Sequence, residues 1–527
     1  NGIDIPGATG PSYTTPALAF ADNGALYSVV VSNGSGSIAS ANANVAIVTG
    51  PLHPFINSEP VGFTTVSLGS TPTLRVLQSG FAPTYQWRRN GVNVVGATSN
   101  TFTLPPVTAA DDAWYSVMVC NAGGCVTSIN VQIQVANGST PPAVQMSAAN
   151  NHSLALRADG SVWAWGQALA GPLGVARDGT SITNQGYPAQ GMCALTTPFT
   201  EAVAVAGGYA HSIAARRDGT VWATGANGRG QIGDGTNTPR DAFVLVMTAP
   251  GIPLQNVRAI AVGTDTSHAV TADGSAWAWG NNQYKQLGNG SSTDRTFATR
   301  VREVSGAAFA GVTSVKAGTI HTLWLKADGT VWAAGANSRG QLGDGSGIEH
   351  ANPVRVETAT GVALSGVTAI SAGTTHSLAL RSDGTAMAWG DNQYGQLGAG
   401  NLPGQLRPVP VRNSAGAVLT GIVAVEAGQE ASFFLLADGT LLAAGANGGG
   451  QLGIGGNTFA TPLPLPVRDA AGNVFGNVRS ISAQFRHALA IRTDNTVWGW
   501  GNNVSLNLAD GTNVSRASPV RVQGLAP

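Results

Sequence analysis

Between residues 152 and 501 the chain repeats one pattern of apolar and polar positions seven times. In its fullest form it reads His152-Ser-Leu-Ala-Leu-Arg-Ala-Asp-Gly-Ser-Val-Trp-Ala-Trp-Gly166. The other copies are His211–Gly225, His268–Gly280, His321–Gly335, His376–Gly390, Ala431–Gly445 and His487–Gly501, with starts 59, 57, 53, 55, 55 and 56 residues apart. Alternation within each copy predicts two strands joined by a tight Asp-Gly hairpin, because that pair tolerates φ > 0. An apolar run such as Val367–Gly373 precedes each copy. A Gly-rich loop such as Asn337–Gly343 and a Pro-led segment such as Pro353–Val356 follow. That makes four strands per repeat, and a period near 55 in a β-rich chain predicts one propeller blade each.

The residues before the repeats follow another rhythm. Residues 50–136 alternate as short strands with turns at Gly69-Ser70, Gly80, Asn90-Gly91 and Asn121–Gly124. Asp111-Asp112-Ala113-Trp114-Tyr115, with Trp87 upstream, resembles the corner of an immunoglobulin-like domain. In that resemblance Trp87 is the buried strand tryptophan and Tyr115 the corner tyrosine. The inter-sheet cysteines are absent, Val76 and Val117 standing there, so the core is expected to be purely apolar. Asn1–Thr9 matches Asn90–Thr98, and Tyr27–Asn33 matches Tyr115–Asn121, so residues 1–49 read as the back half of a second such domain. Three explanations for the missing front half are open: a fragment of a longer tandem array, an arbitrary cut in the sequence, or strands supplied by a neighbouring molecule.

Composition narrows the classes. The 527 residues carry 27 Lys+Arg and 27 Asp+Glu, only 10% charged, against roughly 25% in ordinary soluble domains. Only three lysines occur, Lys285, Lys316 and Lys326, so no basic footprint for nucleic acid is present. No apolar run is long enough to span a membrane; Ser432–Ala446 is broken by Asp438 and Gly439. Cys120 and Cys125 bracket a Gly-rich tip, where a disulfide is the first expectation, free thiols or half a metal site the others. A disulfide would imply an oxidising compartment. Cys193 reads as a buried thiol.

The pattern Ala-Gly-x-x-His-Ser-Leu-Ala-Leu…Asp-Gly-Thr-Val-Trp-Ala-Trp-Gly-x-Asn-x-x-Gly-Gln-Leu-Gly resembles the regulator of chromosome condensation repeat. The resemblance covers roughly residues 144–527. The expected fold is therefore all-β: a seven-bladed β-propeller (144–527) after a linker (137–143), one complete immunoglobulin-like β-sandwich (50–136) and one partial (1–49). Blades 1 and 7 are expected side by side, with the strand that completes the last blade left open.

Six blades carry a repeat histidine, at 152, 211, 268, 321, 376 and 487. These are expected to satisfy buried turns, since a metal needs ligands converging on one point. The Trp pairs 163/165, 277/279 and 498/500 are expected to pack between blades. No metal, cofactor or catalytic constellation is expected, and the chain is read as a non-enzyme. What varies between blades is the better guide to binding. One loop position offers Ala170, Arg229, Tyr284, Arg339, Tyr394, Gly449 and Ser505, of which Arg229, Tyr284, Arg339 and Tyr394 are candidate contacts. A second variable set is Tyr209, Asp265, Glu430, Phe485 and Arg486.

The expected function is that of a secreted or cell-surface, bacterial structural or adhesive protein. Its immunoglobulin-like stalk would carry a propeller head for protein binding or assembly into extracellular filaments, with self-association through the partial domain. Alternatives are a secreted protein-binding regulator or enzyme inhibitor acting through the same loops, and a guanine-nucleotide exchange factor. The last fits poorly with the missing basic segments. The partner is expected to be a protein, with no nucleic acid and no membrane span.

Overall fold

The computed structural model describes residues 4–525 apart from 11, 16–24, 35, 45–53, 59, 61–63, 68, 81, 90, 109–110, 112, 129–130, 137–141, 168–170, 175–183, 195–196 and 457. Most of the 137–143 linker and Ala170 lie outside the described residues. The chain forms two compact units, one of residues 1–60, 73–103 and 114–130, the other of 61–72, 104–113 and 131–527.

In the first unit, Ala113–Asn121 pairs antiparallel with Thr84–Arg89 on one side and Gly124–Thr127 on the other. Trp87, Val117 and Val76 are wholly buried, so the positions without cysteine are filled by apolar packing. Phe102 lies between Trp87 and Tyr115, with ring centroids 6.0 and 6.1 Å away. The Trp87 indole N–H donates to the Ser99 carbonyl at 2.8 Å, which satisfies the one polar atom that a buried tryptophan brings. Cys120 and Cys125 face each other in the hairpin as a disulfide, 2.07 Å between sulfurs. Earlier in the chain, Val30–Asn33 pairs with Gly36–Ala39, and Leu26–Tyr27 with Ala43–Asn44.

Among the described residues the second unit contains seven antiparallel four-stranded sheets, each built from consecutive strands. Blade 1 runs Ala143–Ala148, His152–Arg157, Val162–Gly166 and Gln185–Gln190. Blade 7 runs Val478–Gln484, His487–Arg492, Val497–Gly501 and Arg516–Arg521. The last strand pairs with its own blade, so the ring closes without exchanging a strand. Closure is made by side chains. Leu489, Ile491, Val497 and Val522 of blade 7 form one core with Met146, Ala155 and Trp165 of blade 1. The Trp165 indole donates to the Asn507 carbonyl at 2.6 Å, and Ser153 Oγ to the same carbonyl at 2.9 Å.

The signature residues have local reasons. In the Asp-Gly-Thr turn, the aspartate accepts from the backbone and hydroxyl of the residue two further on, as Asp218 does from Thr220 at 2.9 and 2.6 Å. That hydroxyl then accepts the indole N–H of the first tryptophan, Trp222, at 2.9 Å. A cation covers this ring in several blades: Arg157 over Trp163 at 4.2 Å and Arg300 over Trp277 at 4.8 Å. These rings are occupied, so they form no ligand cage.

One register expectation is corrected. In blade 3 it is Thr266, not His268, that pairs with the strand-ending glycine, Gly280, as His211 pairs with Gly225. The repeat starts are thus 152, 211, 266, 321, 376, 431 and 487, and the uneven spacings of 57 and 53 become 55 and 55. Only five histidines occupy the shared position. His268 sits one pleat further along, and its Nε2 reaches back to Thr266 Oγ1 at 3.1 Å.

Closure through side chains makes a prediction. Trp165→Phe keeps the ring in the core but leaves the Asn507 carbonyl one donor short, at a cost of about 1 kcal/mol. Urea unfolding monitored by tryptophan fluorescence should show that loss. Trp163→Phe, which removes only an exchangeable turn contact, should show less.

Candidate functional site

Antiparallel order places the loops between strands one and two, and between strands three and four, at the same end of every blade. Both variable sets therefore share one face of the propeller. The glutamine beside the first set reaches the second: Gln231 Nε2 donates to Asp265 Oδ1 at 3.1 Å. Burial pushes the Asp265 carboxyl above its ordinary value, with Arg229 opposing that shift.

The loop after the third strand is held by two amide side chains. Asn227, Asn282, Asn337, Asn392, Asn447 and Asn503 are buried. In each, Oδ1 accepts the backbone N–H five residues on, as Leu342 N–H donates to Asn337 Oδ1 at 3.0 Å. Its Nδ2 donates into the far side of the loop, Asn337 to the Ser346 carbonyl at 3.0 Å. The glutamine four residues on fixes the variable position itself. Arg229, Tyr284, Arg339, Tyr394 and Gly449 each donate the backbone N–H to the Oε1 of Gln231, Gln286, Gln341, Gln396 or Gln451 at 2.8–3.0 Å. The backbone is fixed and the side chains are free to differ.

Arg229 and Arg339 are exposed, and Tyr284 is 41% exposed. Arg229 reaches Asp294 at 3.4 Å, while half-buried Tyr394 packs edge-on against exposed Phe459, centroids 6.0 Å apart. The four candidates are thus arranged in order around blades 2 to 5 on one rim. Tyr209 and Phe485 meet nearer the axis, centroids 5.9 Å apart.

Blade 7 departs from the repeat beneath that pair. Where blades 2 to 6 have glycine (208, 263, 318, 373 and 428), it has Gln484. The glycine is required where the imidazole stacks on it: a Cβ at Gly373 would lie 2.3 Å from His376 Cε1. Gln484 instead extends its strand and, in the amide orientation that satisfies both of its polar atoms, donates to the Gly207 and Ala148 carbonyls at 2.5 and 3.0 Å. Phe485 takes a left-handed backbone, φ +51°, which a bulky residue seldom adopts. Lys316 of blade 4 and Glu426 of blade 6 pair at 3.3 Å.

The histidines serve the seams between blades. His152, His211, His321, His376 and His487 each place Nε2 2.9–3.0 Å from the serine hydroxyl of the next blade, Ser212, Ser267, Ser377, Ser432 and Ser153. Blade 6 has Ala431 in this position, and blade 7 has Ala488 where the hydroxyl would stand. Both partners are absent together, which avoids leaving one buried polar group unpaired. Among the described residues no group of three or more His, Cys, Asp or Glu could hold a metal ion.

Sequence reasoning placed the four rim residues at one loop position but missed the Asn and Gln that fix them. Their fixed spacing, Asn-x-x-Gly-Gln, was the available signal. It also missed Gln484, visible as the one departure from Gly in blades 2 to 7.

Two descriptions of the regulator of chromosome condensation (RCC1) repeat match, one at residues 143–168, 202–231, 257–286, 367–396 and 478–505, the other at 273–325, 328–380 and 383–435. The ultraviolet-B receptor UVR8 of Arabidopsis thaliana is 29% identical over 384 residues, 72% of this chain and 82% of that protein. The human E3 ubiquitin-protein ligase HERC2 is 29% identical over 66% of this chain, which spans only 7% of that ligase. Among solved structures, human WBSCR16 superimposes with a TM-score of 0.59 at 22% identity, over 69% of this chain and 94% of that one. Prp20p of Saccharomyces cerevisiae, described with its binding to Gsp1p and histones, gives 0.55 at 21% identity, over 73% and 87%.

Residues 143–505 therefore hold RCC1 repeats folded as propeller blades. The expectation of a secreted or cell-surface, adhesive or filament-forming protein is overturned. The relatives are an ultraviolet-B receptor and E3 ubiquitin-protein ligases, and a solved neighbour is described with its binding to Gsp1p and histones. They come from plant, human and yeast, and give no support to a bacterial origin. Low charge and the strand-rich N-terminal residues misled that reading. No helix among the described residues is long and apolar enough to cross a membrane.

Two predictions follow from the seams and loops. Burial pushes His152, His268, His321 and His487 down to about 3, and His211 and His376 to about 4, so all six are neutral in the fold. Unfolded, they regain their ordinary 6.5, so their contribution is whole above that pH and falls as pH drops towards 4. At pH 5 unfolding should take up about six protons, read as a steep fall of the urea midpoint between pH 6.5 and 4.5. A flat midpoint over that window would contradict neutral burial. Separately, Asn337→Ala should cost roughly 1–3 kcal/mol and speed amide exchange at Arg339–Leu342, with the other blades unaffected.

Proposed function

We propose that the propeller is a docking platform for a folded protein partner, which it binds through the rim carrying Arg229, Tyr284, Arg339 and Tyr394. The single observation behind this reading is the contrast at each loop. A buried Asn and Gln hold the same backbone in blade after blade, while the side chain two residues after the Asn, exposed in blades 2 to 4 and half-buried in blade 5, changes identity. Arg and Tyr there offer large contact areas, and a preorganised backbone loses little entropy on binding. Tyr209 and Phe485 supply an aromatic centre beside the rim, capping a channel mouth that Gln484 spans.

In the same reading, residues 50–136 are an immunoglobulin-like sandwich and residues 1–49 part of another, joined through 137–143 to a propeller of residues 144–527. Trp87 under Phe102 and Tyr115, with apolar Val76 and Val117, supports the sandwich. The Cys120–Cys125 pair closes its hairpin. An oxidising compartment is not part of this proposal.

The test is affinity capture from lysate of the source cells with three forms of the protein. The quadruple alanine variant at 229, 284, 339 and 394 should lose the captured partner and keep the parent melting temperature. Arg217→Ala, at an exposed turn on the opposite face, should retain it. Equal capture by all three forms would remove the rim from the binding site.

A further inference from the structure

The glutamine of each rim loop has a second hydrogen-bonding end, and blade 2 shows its use. Gln231 Oε1 holds the Arg229 N–H, while Gln231 Nε2 donates to the Asp265 carboxylate of blade 3 at 3.1 Å. Arg229 acts on the same carboxylate electrostatically and pairs with a second one, Asp294, at 3.4 Å. A guanidinium and an amide N–H thus converge on a carboxylate that the neighbouring blade supplies.

Blade 4 builds the same arrangement without those carboxylates. The Gln341 carbonyl accepts from Ser377 Oγ at 2.8 Å and from the Trp389 indole at 2.9 Å, as the Gln231 carbonyl does from Ser267 and Trp279. Gln341 Oε1 takes the Arg339 N–H, which fixes the amide and turns Nε2 the other way. Strand register gives the counterparts of the two aspartates. Asp265 and Asp294 each precede a residue paired with Gly280, and the residues that precede the partners of Gly390 in blade 5 are Thr375 and Gly404. Both carboxylates around Arg229 are therefore replaced by uncharged groups.

Gln341 is wholly buried, and its Nε2 has no hydrogen-bond partner among the described residues. Arg339 is exposed and enters no ion pair among them. A buried donor left unpaired is costly, and a carboxylate is the acceptor that this geometry receives elsewhere in the same ring. The Asp391 carboxylate lies 3.5 Å from Thr375 Oγ1, at the position of Asn281 in blade 3. With one more carboxylate in place, a single guanidinium would serve two, as Arg229 does. Gln396 Nε2 is also without a partner, but Glu430 stands at the position of Asp265 there and Tyr394 takes the place of the arginine. That loop offers no cation to a further carboxylate.

We infer that Arg339 and Gln341 receive an aspartate or glutamate side chain of the protein partner, in the place that Asp265 occupies beside Arg229 and Gln231. The exposed Arg339 side chain closes on the incoming group, and bonds of this charge-assisted class are stronger than those between neutral groups. The inference rests on the rim as the docking face and names the chemistry read there.

The probe that tests it is N-acetyl-Gly-Asp-Gly-amide, with N-acetyl-Gly-Asn-Gly-amide as its neutral twin. Each is titrated into the full chain carrying isotope-labelled glutamine amides, and the Gln341 signal is identified by its loss in Gln341→Met. The aspartyl peptide should shift that signal with millimolar affinity, and the asparaginyl peptide should not. Arg339→Ala should weaken the binding roughly tenfold. Thr375→Asp combined with Asp391→Asn copies Asp265 and Asn281 into blade 5 and should abolish binding by filling the place from within. Gly404→Asp, which restores the counterpart of Asp294, should weaken it by engaging Arg339, whereas Asp391→Asn alone should not. Melting of each variant confirms folding. A silent Gln341 signal, an equal response to both peptides, or undiminished binding in both carboxylate-restoring variants would overturn the inference. Loss of the captured partner in the quadruple alanine variant beside a silent Gln341 signal would leave the rim reading standing and strike the carboxylate site alone. Retained capture by the quadruple variant would strike the rim reading and this inference with it.

Discussion

Each blade of this propeller depends on polar groups that it buries against its neighbour. A four-stranded sheet cannot cover both of its own faces, and these blades are stacked with few charges available to fix their order. The register between them is set by a buried bond from each histidine to the next hydroxyl, and by carbonyls such as Gln231 and Gln341 that take the next blade's serine and tryptophan. In a site without water such a bond is worth little net when made and costs heavily when half of it is removed. That asymmetry accounts for the joint absence of histidine and hydroxyl at the seam between blades 6 and 7, where Ala431, Phe433, Ala488 and Trp500 pack as an apolar core instead. The same asymmetry accounts for blade 3, where Thr266 and a displaced His268 keep a polar contact.

The rim of the propeller is an extension of these seams. Gln231 and Gln341 each work at both ends: the backbone carbonyl accepts from the next blade, and the side-chain carbonyl holds the N–H of the exposed arginine. Loop position and blade register are therefore one construction. A side chain at the rim can change without disturbing the frame, because no frame contact passes through it.

Much of this is legible in the sequence alone. The alternating pattern located the strands, and Asp-Gly fixed the hairpins. Blade 3 was misregistered because a histidine two residues late outweighed a threonine that carries the same hydrogen-bonding duty. The amide scaffold was overlooked because Asn and Gln in Gly-rich loops look like ordinary turn residues until their buried bonds are traced. Location was misjudged because low charge and sandwich-like strands occur in more than one compartment, and neither encodes an address.

The most direct measurement is the amide-exchange footprint of the captured partner on this chain. Slowed exchange at 228–230, 283–285, 338–340 and 393–395, with the opposite turns at 217–219, 327–329 and 382–384 unchanged, is the predicted result. Protection of those opposite turns, with the rim loops exchanging as in the free protein, would contradict the account.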